Sequence, residues 1–286
     1  MSVLAVRTTG IFCRNGCPAP APKAANTERF ASSADALFAG YRACLRCRPV
    51  VGDSPRAQRG ARRVALLGRL RRPARRRAEE GVVRLALVHT PLGPMVAAAV
   101  PEGLALLEFA DRPMLETQLQ IVERRFRARL QPGRTRLHDR IQSELDAYFA
   151  GSEPAAFSVP IARPGTPFQE RVWDALLTIP AGETASYAQI AAQIGQPSAV
   201  RAVARANGMN RLALVVPCHR VIASDGTLAG YGGGTWRKAA LLDRERQVAA
   251  GVTDRSLAAV PAYESGPERW KASPMRRAAS ASWSGP

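Results

Sequence analysis

Five cysteines in two settings carry the chemistry of this 286-residue chain. Four lie in the first 50 residues as Cys13-x3-Cys17, a gap of 26 residues, and Cys44-x2-Cys47. Two close thiol pairs separated by a loop suit one tetrahedral zinc ion, because each pair spans an edge of the tetrahedron and the loop brings the chain back. The fifth, Cys218, stands in Leu214-Val-Val-Pro-Cys-His-Arg-Val-Ile222. A thiol is a useful nucleophile near pH 7 only when its pKa is lowered or a base takes its proton, and His219 is adjacent. Each feature has a plainer reading: a zinc staple and nothing more for the first, chance occurrence in a core strand for the second.

These residues need elements to hold them. Residues 1–50 contain a Pro/Ala stretch from Pro18 to Pro22, one short helical segment from Ser33 to Gly40 and few large apolar side chains, so zinc would supply most of the folding free energy. Between Arg56 and Arg77 stand ten arginines and no acid, a solvated basic tether over 51–83 that can lie along a phosphate backbone without reading sequence. Short apolar runs broken by turns follow: Leu85 to His89, Met95 to Val100 and Leu104 to Phe109 read as strands of an antiparallel meander. Helical periodicity spans Leu115 to Leu130 and Arg140 to Phe149, and Phe157 to Ile161 reads as a returning strand. Together they make a small α/β unit over 84–163.

Residues 164–249 are mostly helical by pattern. Phe168, Val172, Trp173 and Leu176 recur at helical spacing as core. Ser186-Tyr-Ala-Gln189 has the capping-box spacing that opens a helix, Gly195-Gln-Pro197 makes a tight turn, and a second helix runs from about Ser198 to Asn207 before Gly208. This is a helix-turn-helix pattern, and Arg201 and Arg205, four apart, share one face of its second helix as a recognition helix on DNA requires. Residues 250–286 show no sustained period and read as a mobile tail.

Composition narrows the partner. The chain has 41 Lys+Arg against 23 Asp+Glu, a formal charge of +18, of which +12 falls in residues 1–83. A polyanion is the expected partner. No apolar run reaches the roughly 18 residues of a membrane helix, and MSVLAVRTTG lacks a signal peptide's layout. A cytoplasmic, nucleoid-associated protein with reduced cysteines is expected, which leaves metal binding or thiol chemistry rather than disulfides.

The flanking words sharpen this. Val6-Arg-Thr-Thr-Gly-Ile-Phe-Cys-Arg14, Cys17-Pro and Gly40-Tyr-Arg-Ala-Cys-Leu-Arg-Cys-Arg-Pro49 closely resemble the N-terminal zinc domain of the Ada family. The resemblance implies that Cys13, Cys17, Cys44 and Cys47 bind one Zn2+, and that Cys13 also accepts a methyl group from a methylphosphotriester in DNA, with Arg14, Arg42 and Arg46 placed for flanking phosphates. The series Pro180-Ala-Gly-Glu-Thr-Ala-Ser-Tyr187, the helix-turn-helix, Asn210, Pro217-Cys-His-Arg220, Leu228-Ala-Gly-Tyr-Gly-Gly233 and Leu241-Leu-Asp-Arg-Glu245 resembles the O6-alkylguanine-DNA alkyltransferases. That likeness covers roughly 84–248 and is most specific over 166–245.

It implies roles residue by residue. Cys218 accepts the alkyl group, His219 acts through a water as its base, and Glu245 orients the imidazole, as in a hydrolase triad. Asn210 braces the turn between the recognition helix and the cysteine strand. Tyr187 contacts the extruded base and protonates guanine N3, Arg201 fills the stack that the base left, and Tyr231, Gly232 and Val221 shape the pocket. The implied fold is an α+β multidomain chain: the zinc-stapled module, a ribonuclease-H-like α/β subdomain over 84–163, and a helical, winged-helix-like catalytic subdomain over 164–249. The implied function is single-turnover repair of O6-methylguanine and O4-methylthymine in double-stranded DNA by a monomer with no organic cofactor. A zinc-dependent, methylated-DNA-sensing transcription regulator is the alternative class. A Cys/His hydrolase is disfavoured because no oxyanion-stabilising Gly-rich turn accompanies Cys218. The chain departs from the Ada pattern in having only 51–83 where that family carries an AraC-type domain.

Overall fold

The computed structural model describes residues 2–30, 33–39, 41–44, 46–47, 49, 81–151, 157–163, 165–228 and 230–251. The arginine tether up to residue 80 and the tail from 252 lie outside these residues.

The N-terminal module is a four-stranded sheet. β1 (Val3–Val6) pairs antiparallel with β2 (Ile11–Arg14) and with β3 (Thr27–Phe30), while β4 (Arg42–Ala43) lies parallel to β2. Val3, Ala5 and Phe12 point inward at strand spacing and are fully or almost fully buried. A short helix, α1 (Ser33–Phe38), follows β3.

The second sheet has the order β7-β6-β5-β8. β5 (Gly81–Val88), β6 (Met95–Val100) and β7 (Gly103–Phe109) form the expected meander, β5 starting inside the segment read as tether. β6 is buried along its whole length because both faces of the sheet are covered. Met95 and Ala97 join a core with α3 (Arg136–Ala150) and the helices that follow, whereas Val96, Ala98 and Val100 pack with α2 (Leu115–Phe126) on the other face.

Two expectations are corrected here. The helix read through to Leu130 ends at Phe126, where Arg127 turns left-handed (φ 48°). The chain then runs as β8 (Ala128–Pro132), parallel to β5, with Ala128 and Leu130 buried at strand spacing. The sheet is therefore mixed rather than a simple meander. The returning strand over 157–161 reduces to one bridge, Ile161 with Leu104. Pro160 interrupts it, since proline has no N–H to give a ladder, and only its carbonyl takes part, accepting from Leu104 N at 2.8 Å.

Helices dominate the remainder. α4 (Pro167–Leu177) starts at a Thr166/Gln169 capping box and carries the buried Trp173, whose Nε1 donates to Ala206 O at 3.0 Å. β9 (Ala185–Ser186) leads into α5 (Tyr187–Gln193), where Ser186 Oγ accepts from Gln189 N at 3.2 Å and Gln189 Oε1 from Ser186 N at 2.7 Å. After the turn, a 3-10 segment (Pro197–Ala199) continues into α6 (Val200–Gly208), so the second helix of the motif starts as a tighter coil than the periodicity suggests. β10 (Val221–Ile222) pairs parallel with β9, and α7 (Thr235–Ala249) closes the described chain. No helix among the described residues is long and apolar enough to cross a membrane.

Candidate active site and metal centre

Cys218 does not lie in a strand. Pro217 precedes it, Leu214 takes a left-handed turn (φ 69°), and Cys218–Arg220 forms a 3-10 turn between α6 and β10. The thiol is buried and accepts from Asn210 Nδ2 at 3.1 Å. Asn210 is itself fixed, because the same amide donates to Val216 O at 2.8 Å and its Oδ1 accepts from Leu212 N at 2.9 Å. Burial pushes the Cys218 thiol up, against the opposing pull of Asn210, so at rest it carries its proton.

The next residue reaches the base pair of the network. His219 Nε2 lies 2.9 Å from Glu245 Oε1 on α7, and both side chains are buried. Glu245 also accepts from Arg220 Nε at 2.8 Å and Nη2 at 2.9 Å, from Tyr148 Oη at 2.8 Å and from Gly182 N at 3.3 Å. Burial would raise the Glu245 carboxyl, but His219 and Arg220 outweigh it and hold it well below the usual carboxylate range. Burial likewise lowers His219, against the pull of Glu245. Burial of the imidazole leaves His219 neutral at rest with a lone pair available, while Arg220, bonded through Nε and Nη2, remains as a permanent cation beside Glu245. Its Nδ1 is buried without a hydrogen-bond partner among the described residues.

The loop that meets Glu245 is specified by Gly182. Its φ is +86°, and a Cβ there would come 3.0 Å from the Ala249 Cβ and 3.3 Å from the Glu245 carbonyl oxygen.

Of the other expected residues, Tyr187 and Tyr231 lie close enough to Cys218 to feel its charge. Tyr187, the first residue of α5, is half-buried and its phenol is raised, first by burial and then by Cys218. The Tyr231 ring meets His219 edge-on at 6.5 Å between centroids, and its hydroxyl has no partner among the described residues. Val221 is buried and its carbonyl accepts from Lys238 Nζ at 2.5 Å, while Gly232 is exposed. Arg201 and Arg205 are both exposed on α6.

Sequence reasoning passed over several of these groups. Arg220 directly follows Cys-His, and its adjacency was a usable signal. Tyr148, 97 residues from Glu245, and the buried Lys238, lowered to about 8 by burial, had none.

At the other end, the Sγ atoms of Cys13, Cys17, Cys44 and Cys47 all lie within 4.8 Å of one another. Thiolates on a tetrahedral zinc with bonds of about 2.3 Å stand about 3.8 Å apart, so the four residues fit the ion. Cys13 sits on β2, and Cys44, just past β4, has its N–H on Phe12 O at 2.9 Å. The N–H groups of Cys47 and Arg46 point at Cys44 and lower its thiol to about 6. Arg14, Arg42 and Arg46 are exposed around the cluster.

Two parts of the chain match known families. Residues 2–50 match the metal binding domain of Ada, and residues 167–247 match the DNA binding domain of 6-O-methylguanine DNA methyltransferase. The regulatory protein ada of Salmonella typhimurium is 34% identical over 329 aligned positions, covering 86% of this chain and 92% of that protein. Those positions outnumber this chain's residues, so the relative carries internal sequence that has no counterpart here. The methylated-DNA–protein-cysteine methyltransferase of Mycobacterium leprae is 45% identical over 165 residues, 57% of this chain and 93% of that one. Among solved structures, Mycobacterium tuberculosis OGT in complex with DNA superimposes with a TM-score of 0.50 and 42% identity, covering 58% of this chain and 94% of that one. A four-cysteine cluster beside the N-terminal sheet, and a buried Cys218 adjacent in sequence to a His219–Glu245 pair, matched over nearly the full length of both kinds of relative, make this chain a member of the Ada and methylated-DNA–protein-cysteine methyltransferase family.

Proposed function

We propose that Cys218 is the acceptor in an irreversible transfer of the methyl group from O6-methylguanine, and from O4-methylthymine, in double-stranded DNA. The observation that carries this reading is the protonated Cys218 thiol with a neutral, Glu245-anchored His219 as its sequence neighbour, both buried beside a helix that presents Arg201 and Arg205 to solvent. DNA alkylation repair by methyl transfer to cysteine is the family's activity, and regulation is secondary to it.

The steps follow from the groups present. A buried thiol reaches a methyl group only when the base leaves the stack, at a cost of a few kcal/mol, and Arg201 fills the gap. His219 takes the thiol proton through a water, becoming an imidazolium that Glu245 stabilises. Sγ attacks the methyl carbon, the carbon–O6 bond breaks, and its electron pair stays on guanine. Tyr187, kept protonated by burial, gives a proton to N3 and recovers one from the imidazolium side, so the thiol's proton ends on the base. Tyr231, Val221 and Gly232 form the pocket walls. The product is a thioether, a poor leaving group, and each molecule acts once.

The four cysteines supply a second acceptor. Zinc, when bound, keeps these thiols ionised. Four thiolates around a dication leave a charge near −2, which repels ordinary phosphates but not a neutral methylphosphotriester. Cys13 Sγ attacks that methyl carbon and an ordinary phosphodiester leaves. Loss of the Cys13 charge then raises affinity for DNA, with Arg14, Arg42 and Arg46 on flanking phosphates. In finer detail we read 1–50 as the zinc domain, 51–83 as a tether, 84–163 as a ribonuclease-H-like subdomain and 164–249 as a winged-helix-like catalytic subdomain, in a monomer that works on the nucleoid.

The test is mass spectrometry of the protein after incubation with duplex DNA carrying O6-methylguanine. A gain of one methyl on the Cys218 peptide is expected, lost in Cys218→Ala while DNA binding persists. DNA binding without that label would leave sensing as the main role and refute the repair reading. With methylphosphotriester DNA the label should appear on Cys13, and a zinc-loaded protein unlabelled there holds a staple only.

A further inference from the structure

The reaction uses no residue of β7 or of the loop after it, yet this segment places a buried ion pair against the site. Glu108, on β7, and Arg112 are 1% and 7% exposed. Glu108 Oε2 accepts from Arg112 Nη1, and Glu108 Oε1 accepts from Phe109 N at 3.0 Å. Arg112 also donates across the interface with the catalytic half. Nη2 donates to Gly208 O at 2.7 Å and Nη1 to Asn210 O at 3.2 Å, where Gln118 Nε2 adds a second donor at 3.4 Å. Gly208 is the last residue of α6, where the helix leaves its final carbonyls without internal partners and favours a cation, and Asn210 lies two residues beyond it.

The same guanidinium also touches the pocket. A Cβ placed on Gly232 would fall 2.5 Å from Arg112 Cζ, so the arginine lies flat against that backbone. One side chain therefore meets the end of the DNA-facing helix, the carbonyl of the residue whose amide holds Cys218 Sγ, and the Gly232 wall. Replacing a buried ion pair by apolar side chains of similar volume is often neutral or stabilising, so stability alone does not account for charges here.

We propose that Glu108 and Arg112 are a positioning pair for the Cys218 reaction, fixing α6, Asn210 and Gly232 in one arrangement so that seating of the helix on DNA and presentation of the thiol are set together. The proposal rests on Cys218 being the acceptor. The charges point the same way. Burial is the main cause that raises the Cys218 thiol and Glu108 adds to it, while Asn210, Arg112 and Lys238 lower it; Tyr187 and Tyr231 are other titratable groups around it. Without the arginine, Glu108 faces the thiol with less opposition.

Two variants test this. Glu108→Leu/Arg112→Leu removes both charges and keeps the site filled. Arg112→Lys keeps the charge beside Glu108 but not the fork that spans two carbonyls. Four quantities are read: thermal midpoint, Kd for an O6-methylguanine duplex, the single-turnover transfer rate at saturating DNA, and the pH profile of Cys218 alkylation by iodoacetamide. In the double variant a rate at least tenfold below wild type is expected, with the midpoint held and Kd within about threefold. Arg112→Lys should recover part of the rate, and the double variant's alkylation profile should be displaced from wild type. Rates within twofold of wild type in either variant overturn the proposal. If the double variant does not fold, Arg112→Lys decides alone by the same criterion. If wild type alkylates with iodoacetamide but takes no methyl from DNA, the functional reading fails instead; positioning is then judged by the alkylation profile, and coincident profiles overturn it.

Discussion

Glu245→Gln is the substitution whose effects the structure constrains most. The carboxylate receives three side chains and a backbone N–H, and Arg220 has both Nε and Nη2 on it. Glutamine preserves the shape but removes the charge and turns one of the two acceptor oxygens into a donor, so the buried guanidinium loses its counter-ion and one of its two bonds there and keeps the Ile179 carbonyl. Removing one partner of a buried ion pair costs about 3–5 kcal/mol at pH 7, or roughly 10 °C in melting temperature for a unit of this size. The pH dependence gives a second handle. Because the folded carboxyl sits below its ordinary value of 4.5, its contribution is complete above pH 4.5 and is lost as pH falls toward the folded value. Wild type therefore gives up about 1.4 kcal/mol for each pH unit below 4.5, and the glutamine variant does not. Denaturant unfolding followed by tryptophan fluorescence reads this directly, since all four tryptophans lie from residue 173 onward. The gap of about 4 kcal/mol at pH 7 should shrink to roughly 2.5 kcal/mol by pH 3.5. A gap that is the same at both pH values, or absent at pH 7, would refute the hub role given to Glu245.

Tyr187→Phe should lower the transfer rate at saturating DNA by about 10²-fold while leaving Kd nearly unchanged, as loss of a proton donor predicts, and a rate equal to wild type assigns the proton elsewhere. Stripping zinc with a chelator should expose four thiols to an aromatic disulfide reagent and abolish labelling of Cys13, with transfer to Cys218 undisturbed. Trp173→Phe should cost about 1–3 kcal/mol in unfolding experiments through the lost bond to Ala206 O, with a weaker grip on α6 seen as faster amide exchange there.

Much of the site was legible because its signals are local. The two cysteine pairs, the Ser186/Gln189 capping box and the four-residue spacing of Arg201 and Arg205 depend on neighbours within a turn or two, and the structure places them accordingly. β8 was hidden because Arg127 ends a helix without a glycine, and the apolar residues at 128 and 130 also fit the helical period that precedes them. The position of Cys218 in a turn was misread because its apolar neighbours look like a strand; Pro217 and the left-handed Leu214 prevent one. Tyr148, Lys238, Glu108 and Arg112 escaped notice for a different reason. Tyr148, Lys238 and Arg112 meet acceptors from other elements across the interior, Glu108 is buried with Arg112 only once those elements close over it, and a tyrosine, a lysine or an i,i+4 acid–base pair gives no sign of burial until then.

The outer edge of β7 has a consequence for how this half of the molecule exists at all. That strand has β6 on one side, and on the other it is capped by two pieces of chain: Ile161 bridges Leu104, and Leu212, from beyond α6, bridges Leu107, with Leu107 N on Arg211 O at 2.7 Å and Ala213 N on Leu107 O at 2.8 Å. The second cap comes from the catalytic half. A fragment ending near residue 163 would expose an apolar strand edge with unpaired amides, a template for another copy of itself. Such a fragment should self-associate, and adding the complementary piece in trans should dissolve the aggregate by restoring the missing cap.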